Sequence, residues 1–355
     1  MVKGNIQKIR ENLQNDEAAL ILSAPNRFYL TRFPSSDGAV LITADSAVFL
    51  IDSRYYEKAK NTVTGYRVVL CTDLLLQISE MLKEQGTERL YIESDYVSIA
   101  QFERLNLKLG VTVSDGTWLS EKLSEMRAEK TESEIKLISA AQALTDETFS
   151  YILPRIEAGR TEKQVMLDME FFMRKSGADA VGFDFVVVSG KNSSLPHGVP
   201  TEKVIEKGDF ITMDFGAEVG GYRSDMTRTV AVGEVYEKQR LVYDTVLKAQ
   251  NAALSRAKAG KECADIDKTA RDIIKEAGFG NCFGHALGHS VGIEIHETPT
   301  LSPRSSATLK SGNVVTVEPG IYIEGEFGVR IEDMVLITET GIMNFTKSPK
   351  ELIIL

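Results

Sequence analysis

The feature that most constrains the fold is a recurrence of glycine-ended helical segments in the later part of the chain. Ala158-Gly159 recurs as Ala259-Gly260, and Gly177 recurs as Gly278, each 101 positions later (260 − 159 and 278 − 177). In both copies the Ala-Gly pair precedes a helical stretch that stops at the later glycine, a residue that commonly ends helices. Strand-like sequence follows each time. The spacing therefore predicts a duplicated helix–helix–sheet unit.

The first third of the chain is organised differently. From about residue 3 to 120 helical and strand patterns alternate, and the apolar runs Gly38–Ile42 and Ala47–Ile51 predict a β-hairpin. This part contains neither a phosphate-binding glycine loop nor a cluster of catalytic residue types. We therefore predict an α/β domain that has an architectural role or restricts the substrate.

Two domains are expected in a chain of 355 residues, because single hydrophobic cores stop growing at about 250–300 residues. Residues 120–130 are rich in charge and lack a strand pattern, and Thr131-Glu132-Ser133-Glu134 offers a capping box that starts a long helix. We place the two domains at 1–125 and 126–355.

The composition argues against two classes of partner. A formal net charge of −10 argues against nucleic acid or an anionic membrane, since both favour a basic face. No apolar run approaches the roughly 18–20 residues of a membrane span. Cys71, Cys263 and Cys282 are widely spaced and form no CxxC pattern. These observations predict a cytoplasmic protein with reduced thiols.

All four histidines lie in the later part of the chain. His285, His289 and His296 fall within residues 284–297, and His197 lies in the same domain. Histidine is a common metal ligand and a proton carrier near neutral pH, so this clustering predicts a chemical site. The first two are four positions apart, but the glycines among them argue against a helix. We therefore do not interpret this pair as a helical zinc motif.

A predicted hairpin brings two aspartates together. Strand-like runs flank Gly220-Gly221, and a two-residue turn there would place Gly216 opposite Asp225 and Asp214 opposite Thr227. Asp214 and Asp225 then become diagonal neighbours on one face, roughly 7–8 Å apart at the backbone. The missing side chain at Gly216 would leave room for both carboxylates. Two like charges so close together favour a bound cation.

Two further acids follow in the second half. Glu318 ends the apolar strand Asn313–Val317 at a Pro-Gly turn, and Glu332 lies in a strand predicted over Gly328–Ile337, with Arg330 on the same face. The duplication would bring these glutamates opposite the two aspartates. Four carboxylates and one imidazole suit two divalent ions, with Mn²⁺ expected first and Co²⁺, Zn²⁺ or Fe²⁺ as alternatives.

Together these segments resemble the pita-bread metallopeptidases, specifically the aminopeptidase P, prolidase and creatinase group. The resemblance spans essentially the whole chain. It implies an α/β N-terminal domain of the creatinase type, followed by an α+β pita-bread catalytic domain with a pseudo-twofold internal repeat. The motifs that carry it are His197-Gly198, Met213-Asp214-Phe215-Gly216, Ser224-Asp225-Met226-Thr227-Arg228, Gly288-His289-Ser290-Val291-Gly292, His296-Glu297, Val317-Glu318-Pro319-Gly320-Ile321-Tyr322 and Val329-Arg330-Ile331-Glu332-Asp333.

The resemblance also implies a role for each candidate site residue. Asp225 and Glu332 would bridge the two ions, and Glu318, His296 and His197 would act in catalysis. The implied metal ligands are Asp214, Asp225, His289, Glu318 and Glu332. The implied substrate-binding residues are His197, His285 on the proline side, His296, Tyr322 near the reacting centre, and Arg330, which would also hold the acidic ligands.

The implied reaction is hydrolysis of an N-terminal Xaa-Pro peptide bond by attack of a metal-bridging hydroxide. Glu318 would move the proton, and His296, with His285 as a second candidate, would stabilise the oxyanion. Proline-containing peptides are the expected substrates and a homodimer is the expected assembly. The main alternative is an Xaa-Pro dipeptidase that acts on dipeptides only. A metal-free creatinase-like enzyme or a non-catalytic binding protein is less favoured, because all five implied ligands are present.

Overall fold

The computed structural model describes residues 2–355. The chain divides into two compact units, Met1–Arg127 and Ala128–Leu355. The charged segment at 120–130 is mostly helical, and the helix Trp118–Ala128 runs through position 125, where the sequence placed the boundary. Among the helices of residues 2–355, none combines the length and the apolar character that a bilayer span requires.

The first unit contains one mixed β-sheet with helices around it. Its elements are α1 (Val2–Arg10), β1 (Glu17–Ile21), α2 (Ala24–Thr31), β2 (Ala39–Thr43), β3 (Ala47–Ile51), α3 (Tyr56–Thr62), β4 (Arg67–Leu70), α4 (Leu74–Glu84), β5 (Arg89–Ile92), α5 (Ile99–Leu109), β6 (Thr112–Ser114) and α6 (Trp118–Ala128). The strand order is β4-β3-β2-β1-β5-β6. Strands β2 and β3 form the predicted antiparallel hairpin, and every residue of β1, β2 and β3 is buried.

The second unit contains two successive sets of helices and strands. The first set is α7 (Glu132–Ile152), α8 (Glu162–Lys175), β7 (Ala180–Val181), β8 (Val186–Ser189), β9 (Phe210–Phe215), β10 (Ala217–Val219), β11 (Tyr222–Arg223) and β12 (Met226–Ala231). The second set is α9 (Glu237–Arg256), α10 (Cys263–Glu276), β13 (Gly288–Ser290), β14 (Glu297–Leu301), β15 (Val314–Val317), β16 (Gly320–Ile323), β17 (Phe327–Arg330), β18 (Asp333–Ile337) and β19 (Ile342–Asn344).

The predicted recurrence of helix, helix and sheet is confirmed. Helix α7 packs against α8, and α9 packs against α10. Helices α8 and α10 end just before Gly177 and Gly278, which adopt positive φ values of 110° and 89°. The first pair adjoins the sheet β12-β9-β8, and the second adjoins the sheet β14-β13-β15-β18-β19. The first half buries an apolar core between its helices and its strands, and the core of the second half also includes Phe210 and Ala231 of the first.

The hairpin register predicted from Gly220-Gly221 is also confirmed. Val219 pairs with Tyr222, and Asp214 pairs with Thr227. Both turn glycines have positive φ, at 58° and 75°, which is why glycine suits these two positions. The short two-residue loop leaves only one pairing between the flanking strands.

One predicted strand is wrong. The run Gly328–Ile337 does not form a continuous strand, because β17 ends at Arg330 and β18 begins at Asp333. Strand β17 pairs with β16, whereas β18 lies between β15 and β19 in another sheet. Glu332 therefore lies at the break between two sheets, where its backbone N–H donates to the Thr227 carbonyl oxygen.

Candidate metal centre

The first pair of candidate ligands comes from the β9–β12 hairpin. Asp214 lies on β9, and Asp225 directly precedes β12 and is buried. A Cβ atom on Gly216 would lie only 1.8 Å from the backbone oxygen of Ser224. The expectation that this glycine makes room for the carboxylates is therefore wrong. The glycine allows its backbone to lie directly against Ser224, where the β9–β12 pairing gives way to the β10–β11 pairing. This close approach sets the position of Asp225.

The second half contributes a histidine and a glutamate from adjacent strands. His289 lies in β13, and Glu318 directly follows β15, which pairs with β13. The His289 Nε2 atom is 3.3 Å from Glu318 Oε1 and 3.6 Å from Asp225 Oδ2. The other ring nitrogen, Nδ1, donates to the Ser290 carbonyl oxygen at 3.2 Å. That hydrogen bond fixes the tautomer and turns Nε2 toward the acids.

Glu332 completes the group of candidate ligands. Its Oε2 atom accepts a hydrogen bond of 2.7 Å from the Thr227 hydroxyl. One ligand atom each of Asp225, His289 and Glu332 lies within 4.8 Å of the other two, close enough to share a metal ion. Ligands predicted from distant parts of the sequence are thus adjacent in space.

Arg330 connects the acids to Tyr322 and to the loop that contains Pro196. Its Nη2 atom donates to Asp214 Oδ2 at 2.5 Å, and its Nε atom donates to the Thr227 hydroxyl at 3.0 Å. Its Nη1 atom donates to Tyr322 OH at 2.8 Å and to the Pro196 carbonyl oxygen at 3.1 Å. Arg330 therefore pairs with Asp214, and not with the Glu332 side chain that the strand pattern placed beside it.

The electrostatics of the acids differ sharply. Burial and then the charges of Glu332, Asp214 and Glu318 raise the pKa of Asp225 well above its usual value. Burial and the charges of Glu318 and Asp214 raise the pKa of Glu332 in the same way. Burial alone would raise the pKa of Glu318, but the hydrogen bond and charge of His289 outweigh it and lower that pKa to about 2. The pKa of His289 is raised, because its pairing with Glu318 outweighs its burial.

The donor set fits a divalent metal ion. The Oδ1 atom of Asp214 is buried and accepts no hydrogen bond from a described residue, although its Oδ2 atom is held by Arg330. A buried carboxylate oxygen without a partner is costly, and a cation would satisfy it. Asp225 and Glu332 are buried close to other acids, and a cation among them would favour their charged forms. Carboxylate oxygens with one imidazole suit divalent ions of the Mn²⁺, Fe²⁺, Co²⁺ and Zn²⁺ series.

His285 and Tyr322 form a hydrogen-bonded pair beside the acids. His285 Nδ1 donates to the Ala286 carbonyl oxygen at 2.8 Å, so Nε2 of the neutral ring accepts from Tyr322 OH at 3.0 Å. Burial lowers the pKa of His285, which keeps the ring neutral. Burial raises the pKa of Tyr322 to about 12, against the opposing charge of Arg330. Both ring nitrogens of His285 are thus engaged, and the ring also packs edge-to-face against Phe283, with centroids 5.0 Å apart.

The other two histidines lie at the exposed side of the site. His296 is exposed, and its ring is 4.4 Å from that of His289 in an edge-to-face arrangement. Burial and the charge of His289 lower the pKa of His296. His197 is also exposed, and it lies near enough to influence the titration of both His285 and His296. His285, His289 and His296 therefore lie close to the acids, and His197 lies near two of these histidines.

The sequence did not predict the residues that hold the segments around His285 and His296. A buried ion pair joins Lys130 to Glu297, next to His296, with Nζ 3.0 Å from Oε2. Asp267 on α10 accepts from the Leu287 backbone N–H, and Arg271 donates to Asp267 and to the His285 carbonyl oxygen. A charged side chain in an otherwise apolar helix face was the available signal. Asp267 occupies such a position.

Comparison with known proteins agrees with this fold. Residues 136–339 match metallopeptidase family M24, and residues 5–128 match the creatinase/prolidase N-terminal domain. The uncharacterized peptidase YqhT of Bacillus subtilis is 42% identical over 96% of this chain and 96% of its own. The solved structure of an Xaa-Pro dipeptidase from Bacillus anthracis has a TM-score of 0.96 and 40% identity, with 100% of both chains covered. That of an X-Pro aminopeptidase from Thermotoga maritima has a TM-score of 0.91 and 35% identity, covering 100% of this chain and 99% of the other.

These matches confirm the predicted fold class, a creatinase-type N-terminal domain followed by a pita-bread catalytic domain. They extend over both units and leave no large segment unmatched. The chain belongs to metallopeptidase family M24.

Proposed function

We propose that this protein hydrolyses the N-terminal Xaa-Pro bond of peptides, using two divalent metal ions held by Asp214, Asp225, His289, Glu318 and Glu332. The observation that carries this proposal is the unsatisfied, buried Oδ1 atom of Asp214 beside acids that converge from both halves of the duplicated unit. Mn²⁺ is the proposed metal, because the set is mainly carboxylate with a single imidazole. When bound, the ions would supply Lewis-acid activation of water and of the scissile carbonyl.

Glu318 is the proposed general base. The lowered pKa, about 2, keeps its carboxylate ionised at neutral pH. Its Oε1 atom lies 3.3 Å from His289 Nε2 and accepts a hydrogen bond of 3.2 Å from the Thr316 hydroxyl, so the carboxylate is held in one orientation. A carboxylate held in this way can take the proton of an attacking water and pass it to the leaving nitrogen.

His296 and His197 are the proposed donors to the developing oxyanion. Both rings are exposed at the open side of the acids, and the lowered pKa of His296 leaves a neutral ring with one N–H to donate. His285 is less suited to this task, since both of its ring nitrogens are engaged. Its ring face and the Tyr322 ring, with centroids 5.5 Å apart, would instead contact the proline ring.

Proline explains why a dedicated site is needed. A peptide bond before proline has no N–H on its nitrogen, and the φ angle of proline is locked. Peptidases that bind substrates as paired strands therefore handle such bonds poorly. A metal centre beside a rigid ring-contacting wall does not depend on that N–H.

Two substrate lengths remain as candidates, because similar proteins carry both names. The aminopeptidase hypothesis is supported by Arg330, whose side chain already donates four hydrogen bonds. It therefore has little capacity left to bind the free carboxylate of a dipeptide. The dipeptidase hypothesis is supported by the similarity to the Xaa-Pro dipeptidase from Bacillus anthracis. Turnover of Gly-Pro and of Gly-Pro-Pro by the Mn²⁺-loaded protein would distinguish them. An aminopeptidase cleaves the tripeptide, and a strict dipeptidase cleaves only Gly-Pro.

The substitution Glu318→Gln tests the shared mechanism. It keeps the shape of the side chain and removes the base, so turnover of both peptides should fall to background. Glu324→Gln, an exposed position in the turn between β16 and β17, is the matched control and should leave turnover unchanged. Full activity in Glu318→Gln would refute the proposal.

A further inference from the structure

We infer that Glu162 is a positioning residue for the substrate-binding loop of residues 189–201, which carries His197; the inference rests on the proposed function. Glu162 is the first residue of α8, and its side chain is completely buried. It precedes the loop in the sequence, whereas the acids of the metal centre follow it. Its sequence context shows only a helix start after Thr161.

The Glu162 carboxylate joins the two ends of this loop. Its Oε1 atom accepts from the Ser189 backbone N–H at 2.6 Å and from the Ser189 hydroxyl at 3.0 Å. Its Oε2 atom accepts from the Thr201 backbone N–H at 3.1 Å and from the Thr201 hydroxyl at 2.7 Å. The Asn192 amide donates to both oxygens, at 3.2 and 3.3 Å. All six hydrogen bonds come from uncharged groups of the loop.

The middle of the loop is attached to the site itself. The Gly328 backbone N–H donates to the Ser193 hydroxyl at 2.9 Å, and Arg330 Nη1 donates to the Pro196 carbonyl oxygen at 3.1 Å. A Cβ atom on Gly328 would lie 2.1 Å from the Ser193 backbone oxygen, so the loop lies directly on β17. His197 is the next residue after Pro196, and its side chain is exposed.

The position of His197 therefore depends on the loop backbone. That backbone is attached to β17 in its middle and to Glu162 at both ends. Residues 190–194 form a short 3-10 helix, and from Leu195 to Pro200 no helix or strand supports the chain. Catalytic and binding groups need a backbone held to within about 1 Å to act at full rate. Glu162 supplies that constraint from outside the site.

The substitution Glu162→Gln distinguishes hydrogen bonding to the loop from the packing of the side chain. Its amide has one acceptor oxygen in place of two, so it can accept from the Ser189 end or from the Thr201 end of the loop but not from both. One end is then released, and the buried NH₂ group faces donors. The side-chain volume is unchanged.

The test compares Glu162→Gln with Glu170→Gln, a more exposed acid of the same helix that pairs with Arg174. In the Mn²⁺-loaded full chain, Glu162→Gln should lower kcat/KM for an Xaa-Pro peptide on the order of 10- to 100-fold. It should also speed amide hydrogen exchange in residues 189–201. Glu170→Gln should change neither quantity. Thr201→Val, which removes one hydroxyl donor, should have a smaller effect in the same direction.

A double-mutant cycle with His197→Ala makes the result specific. If Glu162 acts through His197, the double variant should match His197→Ala in kcat/KM to within about twofold. Effects that multiply, or wild-type exchange rates at 189–201 in Glu162→Gln, would overturn the inference. An inactive wild-type protein would overturn the proposed function, while the exchange measurement would still decide whether Glu162 orders the loop.

Discussion

Replacing Lys130 by methionine should destabilise the catalytic unit by about 3 kcal/mol. The side chains of Lys130 and Glu297 are 1% and 5% exposed, and Lys130 Nζ is 3.0 Å from Glu297 Oε2. Removing one partner of a buried ion pair costs about 3–5 kcal/mol, because the remaining charge stays buried. We expect the lower end of that range, since the Glu297 carboxylate keeps hydrogen bonds from the backbone N–H groups of Ile293 and Glu294.

The double variant Lys130→Met/Glu297→Gln makes this argument specific to charge. It removes both charges and retains an acceptor oxygen for the two backbone N–H groups, so it should recover at least about 1 kcal/mol relative to Lys130→Met. Lys310→Met is the control. Its partner is Glu129, both side chains are more than half exposed, and such surface pairs contribute about 0–1 kcal/mol.

The assay is urea unfolding of the metal-free protein followed by circular dichroism. Calorimetric titration with Mn²⁺ measures the effect on metal affinity, because Glu297 closes the loop between His289 and His296. Lys130→Met should weaken metal binding, and Lys310→Met should not. Equal stability losses in Lys130→Met and Lys310→Met would refute the reasoning.

Three further predictions concern the metal site and its scaffold. Metal binding should release protons and become tighter as pH rises, because burial and neighbouring acids raise the pKa values of Asp225 and Glu332 in the metal-free protein and a bound cation would favour their ionised forms. Calorimetry in buffers of different ionisation enthalpy measures that release, and identical heats in all buffers would contradict it. Arg330→Lys should lower kcat/KM roughly 100-fold, since lysine loses at least two charged hydrogen bonds of about 1.5 kcal/mol each. Unchanged steady-state kinetics would count against the role of Arg330 in holding Asp214 and Tyr322. Gly216→Ala should destabilise the protein by about 3 kcal/mol in urea unfolding, the upper end of the usual cost of overpacking, whereas Gly284→Ala, where a Cβ meets no atom within 4 Å, should be close to neutral.

The parts of the fold that follow from local patterns could be predicted from the sequence. The turn at Gly220-Gly221 was sufficient to give the pairing of Asp214 with Thr227, because a two-residue loop leaves one register. The helices ending before Gly177 and Gly278 likewise follow from capping.

Long-range partners could not be predicted in this way. Glu162 accepts hydrogen bonds from residues 27 to 39 positions away, and Lys130 pairs with a residue 167 positions away. Each looks like an ordinary residue near a helix start. The strand predicted through Glu332 failed for a related reason. Its alternation is regular, but β17 and β18 pair with different strands on either side of Ile331 and Glu332.

The number of divalent ions bound per chain tests the central claim most directly. Chelator-treated protein titrated with Mn²⁺ should bind two ions per chain, and turnover of an Xaa-Pro peptide should appear only as those ions bind. Undiminished turnover in the metal-free protein, or no measurable binding of Mn²⁺, Co²⁺, Zn²⁺ or Fe²⁺, would contradict the account.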